Sequence, residues 1–423
     1  MLTRAVLKGR HDMKEYDIII AGGCASGLAA AISAARTHPG KSVAVLEKLP
    51  RAGKKLLATG NGRCNLSNVN ALSHPYRNAA FASHALGRYN VERTLEFFAS
   101  LGLLTYTDSE GRVYPASNTA ASVLDALRFA AAAQGIEIIC EKEITDIIKS
   151  EGKFVINGEY KCNRLVASLG GKAAPVHGTN GSGYTLMRSL GHSVTRLYPA
   201  LSPLNAQSSV IKSLKGVRVH SVKLTAMCGE KTVAQSKGEI LFTEYGISGI
   251  AAMELSAELS RAADNNVKQK CFTDIDFAPD MTDSELADYL AKVKKIKGLL
   301  QIDNLLTGIL PKALGIAICK AIDLYTSGLQ IKSLSNEDIR KIASCIKKMR
   351  VPISGAKGFD AAQVTSGGID VREINENTLE SKLCPGLYLA GEIIDVDGGC
   401  GGYNLQWAWS SGLLAGELGG DNN

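Results

Sequence analysis

The chain has ten cysteines but no Cys-x-x-Cys pair. That excludes the usual dithiol redox couple and the usual zinc-knuckle spacing, and no metal site is expected. The cysteines, at 24, 64, 140, 162, 228, 271, 319, 345, 384 and 400, are spread through core-like segments. They read as unpaired thiols of a reducing cytoplasm. No apolar run reaches about 18 residues, so no segment reads as a transmembrane helix and no membrane association is expected. The first twelve residues, Met1 to Asp12, carry Arg4, Lys8 and Arg10 and no long apolar core, so a secretory signal is not expected there. Aromatics make up only 6% and do not interleave with Lys and Arg, so nucleic-acid binding is not expected despite a net charge of +7. The one dense basic run, Lys292 to Lys297, reads as a solvated helix face.

What is present is a glycine-rich turn in a specific setting. The apolar run Ile18 to Ala21 reads as a buried parallel strand. Gly22-Gly23-Cys24-Ala25-Ser26-Gly27 follows, then an Ala-rich helix through Arg36, then a second strand, Val43 to Leu46, ending on Glu47. This is the order of a dinucleotide-binding βαβ unit. A tight turn brings the pyrophosphate to a helix N-terminus, and an acid about 20 residues on takes the ribose hydroxyls. Cys24 stands where the second glycine of Gly-x-Gly-x-x-Gly is expected, the position that lets backbone approach the pyrophosphate. A second unit of this kind is missing, since Gly170-Gly171 with Gly178, Gly181 and Gly183 lacks the pattern. A separate nicotinamide-binding domain is therefore not expected.

A length of 423 residues exceeds one ordinary domain. The first part alternates strands and helices: helices at 89–101 and 120–134, strands at 136–140 and 153–156, a buried strand at 164–167, and a helix at 181–190. From Val194 to Phe242 short alternating strands suggest an antiparallel sheet or barrel. Helical patterns follow at 284–297, 301–309, 314–326 and 336–347. The α/β texture returns near Gln363, with a strand at 387–389 and a final helix through Leu418. The expected fold is α/β: a cofactor-binding Rossmann domain at 13–190 and 351–423, split by an inserted antiparallel barrel and helical piece at 191–350.

Two glycine clusters add chemistry. Gly53-Lys54-Lys55 through Gly60-Asn61-Gly62-Arg63-Cys64-Asn65 follows the second strand and offers backbone donors and cations to phosphates or an anionic ring. Gly391-Glu392 through Asp397-Gly398-Gly399-Cys400-Gly401-Gly402-Tyr403-Asn404-Leu405 opens the last helix and can place amides where negative charge develops. Cys64 reads either as a ring neighbour or as a structural thiol, Tyr245 and Tyr403 as proton donors or packing groups. Trp407 and Trp409 read as packing the last helix.

These residues closely resemble the BaiN-like NAD(P)/FAD-dependent oxidoreductases from Tyr16 to about Glu417. The most specific pieces are Thr59 to Asn65, Gln363-Val364-Thr365-Ser366-Gly367-Gly368, and Gly391-Glu392 through Ala408. The departures are Cys24, Glu244 where the family often has His, Ile250 where Pro is common, and Cys400. The resemblance implies a glutathione-reductase-type FAD domain. It implies FAD held by Gly22, Gly23, Cys24, Ala25, Ser26, Gly27, Glu47, Lys48, Lys54, Gly60, Asn61, Gly62, Arg63, Cys64, Asn65, Gly391, Glu392, Asp397, Gly402, Tyr403, Asn404 and Leu405. NAD(P)H is expected as a transient reductant, and no catalytic residue is assigned. The family includes a bile-acid enzyme that reduces conjugated double bonds of 3-oxo steroids, and other members are linked to amine or aminoketone oxidation. The expected activity is NAD(P)H-linked reduction of the conjugated C=C bonds of a small-molecule substrate, a 3-oxo steroid or bile-acid-like enone. The alternatives are an oxygen-using amine oxidase and a non-catalytic flavoprotein that binds RNA or a protein.

Overall fold

A computed structural model describes residues 13–206, 208–265 and 269–419. The expectations for Met1 to Asp12 lie outside the described residues. The chain forms two compact units, one from 13–197 and 364–419, the other from 198–363. The return to the first unit comes at Val364 rather than 351, because Met349–Ile353 and Gly355–Ala356 are still strands of the second unit. Likewise the first unit runs on to Leu197, past the expected 190.

In the first unit, β1 (Lys14–Ala21) pairs in parallel with β2 (Val43–Leu46), with Ile18 opposite Val43 and Ala21 opposite Leu46. Glu137–Ile139 extends the sheet beyond β2. On its other side β1 pairs in parallel with Tyr160–Ala167. That strand's first half takes the antiparallel Lys153–Ile156, and its second half takes the parallel Leu387–Leu389. The last strand thus brings the C-terminal part of the chain back to this sheet. Helix α1 (Ala25–Thr37) lies between β1 and β2 in sequence and buries Ala25 to Ala34. The final helix, Tyr403–Gly416, packs on it through small residues. A Cβ on Gly412 would lie 2.4 Å from the Ser26 carbonyl oxygen, and one on Gly416 2.4 Å from that of Ala30. Trp407 and Trp409 are fully buried and donate to the carbonyls of Gly391 and Leu66.

Tyr89 to Leu101 is not one helix. Tyr89 ends Ala79–Arg88, and Asn90 caps Val91–Ser100 by accepting from the Arg93 amide at 3.0 Å. Gln301 to Ile309 also differs from its helical pattern. Only a 3-10 turn forms at Ile302–Asn304, because Gly308 and Pro311 follow closely.

The second unit has its own hydrophobic core, separate from that of the first. Its sheet has seven strands, all antiparallel: Met349–Ile353, Cys271–Asp276, Arg218–Cys228, Lys231–Phe242, Gly246–Ser248, Leu204–Asn205 and Gly355–Ala356, in that spatial order. The two edge strands are separated in sequence by Ser354 alone, so the sheet curls to bring its edges together. Helices Asp283–Lys297 and Asn336–Lys347 each begin with a capping box, at Thr282 with Glu285 and at Ser335 with Asp338. The expectation of unpaired cysteines fails at one place: Cys228 and Cys271 face each other across two strands and form a disulfide. That pairing withdraws the cysteine argument for a reducing compartment. Among the described residues no helix is long and apolar enough to cross a membrane, and no group of three or more candidate metal ligands occurs.

Candidate cofactor site

The site is built in the first unit, where three chain segments meet the C-terminal ends of the parallel strands. Gly22 leaves β1 with φ +102°, and a Cβ there would lie 2.4 Å from the Ser168 carbonyl oxygen. Ser168 closes the neighbouring strand by donating to the Ala21 and Gly22 carbonyls, each at 2.9 Å. A Cβ on Gly27 would lie 1.9 Å from the Gly22 carbonyl oxygen, which fixes how closely α1 seats on the turn. Cys24 is different. It sits at φ −107°, ψ −154°, extended backbone that any residue adopts. The glycine expected there is not required by the conformation of this chain. Burial pushes the Cys24 thiol up and keeps it protonated.

α1 starts without a side-chain cap. Its first amides have no intrahelical partner and carry the positive end of the helix dipole. This is the donor chemistry a pyrophosphate needs. Glu47 is buried at the end of β2. Its Oε2 accepts from the Gly23 amide at 2.9 Å and its Oε1 from the Leu49 amide at 2.9 Å. The carboxylate therefore braces the turn, and each oxygen keeps lone-pair capacity for a further donor.

The loop from Gly53 to Asn65 folds back on this turn. The Gly53 amide donates to the Gly23 carbonyl at 2.8 Å. Lys48 and Lys54 lie by the loop that carries His177 and Gly178. Gly60, Asn61 and Gly62 all have positive φ. Arg63 stacks over the Tyr114 ring, 4.6 Å from its centroid. Cys64 is fully buried and its thiol is pushed up to about 12 by burial. That is the behaviour of a structural thiol.

The Gly391–Leu405 segment completes the site. Glu392 pairs with Lys55 at 2.6 Å and accepts from the Thr365 amide at 2.8 Å. Gly391 lies against Ser26 at the start of α1. Asp397 accepts from Ser366 Oγ at 2.6 Å. Asn404 closes the turn on itself: its Oδ1 accepts from the Gly398 amide and its Nδ2 donates to the carbonyls of Gly398 and Gly399. Gly402, at φ +99°, opens the last helix with no side-chain cap. A Cβ on Gly402 would lie 2.4 Å from the Ser67 carbonyl oxygen and 2.8 Å from Asn65 Oδ1. Asn65 Oδ1 is buried and has no hydrogen-bond partner. An orphaned acceptor beside a side-chain-free helix start fits a ring that brings an N–H donor, as an isoalloxazine does. Leu405 is half-buried against the core.

Three contributors had no role assigned: Thr365, which stands in a quoted motif, and His74 and Tyr76, which stand in none. Thr365 Oγ1 accepts from the amides of Lys172 and Ala173, tying the glycine loop after Ser168 to the Gln363–Gly368 segment. His74 stacks on Tyr403 with centroids 3.7 Å apart, and its Nε2 accepts from the Gly399 amide at 2.9 Å. Burial pulls the His74 imidazole down to about 4, so it stays neutral and able to accept. Tyr76 donates to the Tyr403 carbonyl at 3.0 Å. His74 belongs to no sequence pattern, and only contact across more than 300 residues of chain reveals it. In the second unit, Glu244 lies in an exposed turn and pairs with Lys215 at 2.6 Å. Ile250 starts the short helix Ile250–Glu254.

Comparison with known proteins places this geometry. The family described as HI0933-like protein Rossmann domain matches residues 16–418. A 3-dehydro-bile acid delta(4,6)-reductase of Clostridium scindens is 38% identical over 405 residues, which is 94% of this chain and 97% of that protein. A ribosomal RNA dihydrouridine synthase of Escherichia coli is 29% identical over 407 residues, covering 94% of this chain and 96% of that one. Among solved structures, a 3-ketosteroid delta1-dehydrogenase of Sterolibacterium denitrificans shares the fold. It has a TM-score of 0.50 at 13% identity and covers 96% of this chain and 99% of its own.

Proposed function

The chain belongs to the HI0933-like Rossmann family, and from that premise we propose that it is an FAD-dependent oxidoreductase acting on CH–CH bonds. Its substrate on this reading is a 3-oxo steroid or bile-acid-like enone, and its reductant is NAD(P)H. The observation that carries the reading is the 38% identity, along 94% of the chain, to an enzyme whose name states such a reaction. The dihydrouridine synthase relative supports the same reaction type on chemical grounds. Dihydrouridine is uridine saturated at a C=C bond conjugated to a ring carbonyl, as an enone's is. The barrel-plus-helices architecture expected of the inserted unit is supported by its curled antiparallel sheet.

On this reading Glu47 takes the adenosine ribose, and the amides opening α1 take the pyrophosphate. Asn65 and the Gly398–Leu405 turn receive the ring. When bound, FAD supplies the hydride that adds to the β-carbon of the enone. The chain's own part is electrostatic and positional. The uncapped start of Tyr403–Gly416 would stabilise negative charge that develops on the ring. His74, Tyr76 and Asn404 hold that start in place through the Gly399 amide, the Tyr403 carbonyl and the Gly398 backbone.

A second reading keeps the chemistry and changes the substrate to a uracil ring in RNA; the 29% relative favours it. Anaerobic reduction of the purified yellow protein separates the two. NAD(P)H should bleach the flavin, and a 3-oxo-4,6-diene steroid should restore the colour. Reoxidation by ribosomal RNA and not by the steroid would move the assignment to the second reading. A colourless protein that cannot be reconstituted with FAD would sink both.

A further inference from the structure

The helix Asp283–Lys297 buries Leu286, Leu290 and Val293 in the core of the second unit. That accounts for one face. On another face Tyr289, Lys292 and Ile296 follow at helical spacing, and the turn after the helix adds Leu299 and Leu300. Ile296 is 81% exposed, Leu299 75% and Leu300 48%. Single exposed aliphatics are ordinary, but three neighbours at the tip of one element are not.

The helix changes charge along its length, and the end beside these aliphatics is basic. The acids of this helix, Asp283, Glu285 and Asp288, lie in its first half, and Lys292, Lys294, Lys295 and Lys297 in its second. The helix dipole favours that arrangement and by itself would explain the lysines. It does not explain Ile296 among them, nor Leu299 and Leu300 just beyond. Lys294 and Lys297 are committed to the carbonyls of Leu334 and Asn304. Lys292 and Lys295 are exposed, as is Lys332, whose Cβ lies 3.3 Å from where one on Gly298 would stand. None of these three makes an ion pair with a described residue.

We propose that this tip, with Ile296, Leu299 and Leu300 ringed by Lys292, Lys295 and Lys332, is a peripheral docking surface for an anionic lipid bilayer. Exposed aliphatics enter the acyl boundary while lysines above them meet acidic headgroups. A wholly polar partner would leave the aliphatics uncovered, and a neutral apolar one would leave the lysine ring unanswered. The surface lies on a helix that does not span a membrane, and it is independent of the substrate assignment.

The test is co-sedimentation of the full chain with vesicles of phosphatidylcholine alone and of phosphatidylcholine with phosphatidylglycerol. Binding should need the phosphatidylglycerol and weaken as salt rises. Ile296→Ser with Leu299→Ser should weaken it at least tenfold, and Lys292→Glu with Lys295→Glu should do so too, both without changing the melting temperature. The lysine variant keeps the test open if the aliphatic one does not fold. Failure of the native chain to bind, or equal binding by the native chain and a folded variant, would overturn the proposal. So would patch-dependent self-association without lipid, or patch-dependent retention on RNA in place of vesicles.

Discussion

Two glycine turns open two helices in the first unit, and they use their glycines differently. At the start of α1, Gly22 and Gly27 are required because backbone carbonyls lie where their side chains would be, yet Cys24 between them sits in ordinary extended backbone. At the start of the last helix, Gly401 and Gly402 both have positive φ, and Gly402 is pressed against the Ser67 carbonyl. A consensus glycine is thus not one requirement. Some positions serve a left-handed backbone, some a close approach, and one serves neither here.

The largest effects should come from the close approaches. Gly27→Ala and Gly402→Ala each push a methyl into a backbone carbonyl, at 1.9 and 2.4 Å. Each should destabilise by about 3 kcal/mol, a fall in Tm of roughly 6–12 °C. A bulky residue at Gly402 also meets the Ser67 carbonyl, so it does not report on the cofactor alone. Unchanged melting of either variant would show that the turn relaxes freely.

Glu47→Ala comes next. It should weaken FAD retention about tenfold, the loss of one charged hydrogen bond. It also leaves the Gly23 and Leu49 amides without their acceptor. The cofactor-free protein should therefore lose about 2 kcal/mol in chemical unfolding. A variant that lost cofactor affinity at full apo stability would make Glu47 a ligand residue only.

The second turn should respond to pH through His74. His74 is held at about 4 against an ordinary 6.5, because burial disfavours the charged ring. Between those values the unfolded chain binds a proton that the folded chain refuses, so stability falls as pH drops from about 6.5 towards 4. Above 6.5 the contribution is complete. Protonation would also end acceptance from the Gly399 amide. His74→Asn should flatten Tm against pH in this window, and an unchanged slope would assign it to other groups. The smallest effect is expected for Cys24→Gly. It restores the consensus where φ is −107°, so it should cost roughly 0.5–1 kcal/mol of backbone entropy and leave FAD affinity within about twofold. A large gain in affinity would mean the thiol itself crowds the cofactor.

Much of the site was legible because its signals are local. The βαβ order around Gly22–Gly27 and Glu47, the loop to Asn65 and the glycine cluster before Tyr403 are each contiguous, and each stands in the first unit. The division of labour inside those motifs was not legible. Nothing in the sequence says that Asn404 turns inward to hold Gly398, that Arg63 stacks on Tyr114, or that Asn65 keeps an unpaired acceptor. The helical pattern at 301–309 misled because it weighed apolar spacing above Gly308 and Pro311.

By itself the sequence determined the ligand class and the α/β scaffold, since strand, turn, helix and acid succeed one another within about 30 residues and the chain's handedness allows one arrangement of them. It also holds local start signals for two helices, Thr282 with Glu285 and Ser335 with Asp338. Only the tertiary structure decided what depends on distant segments meeting: the His74 stack on Tyr403, the Thr365 bridge to Lys172, the Cys228–Cys271 pairing, and the exposure of Ile296 and Leu299. Those are set by which surfaces are buried together, and burial is a property of the packed chain, not of any stretch of it.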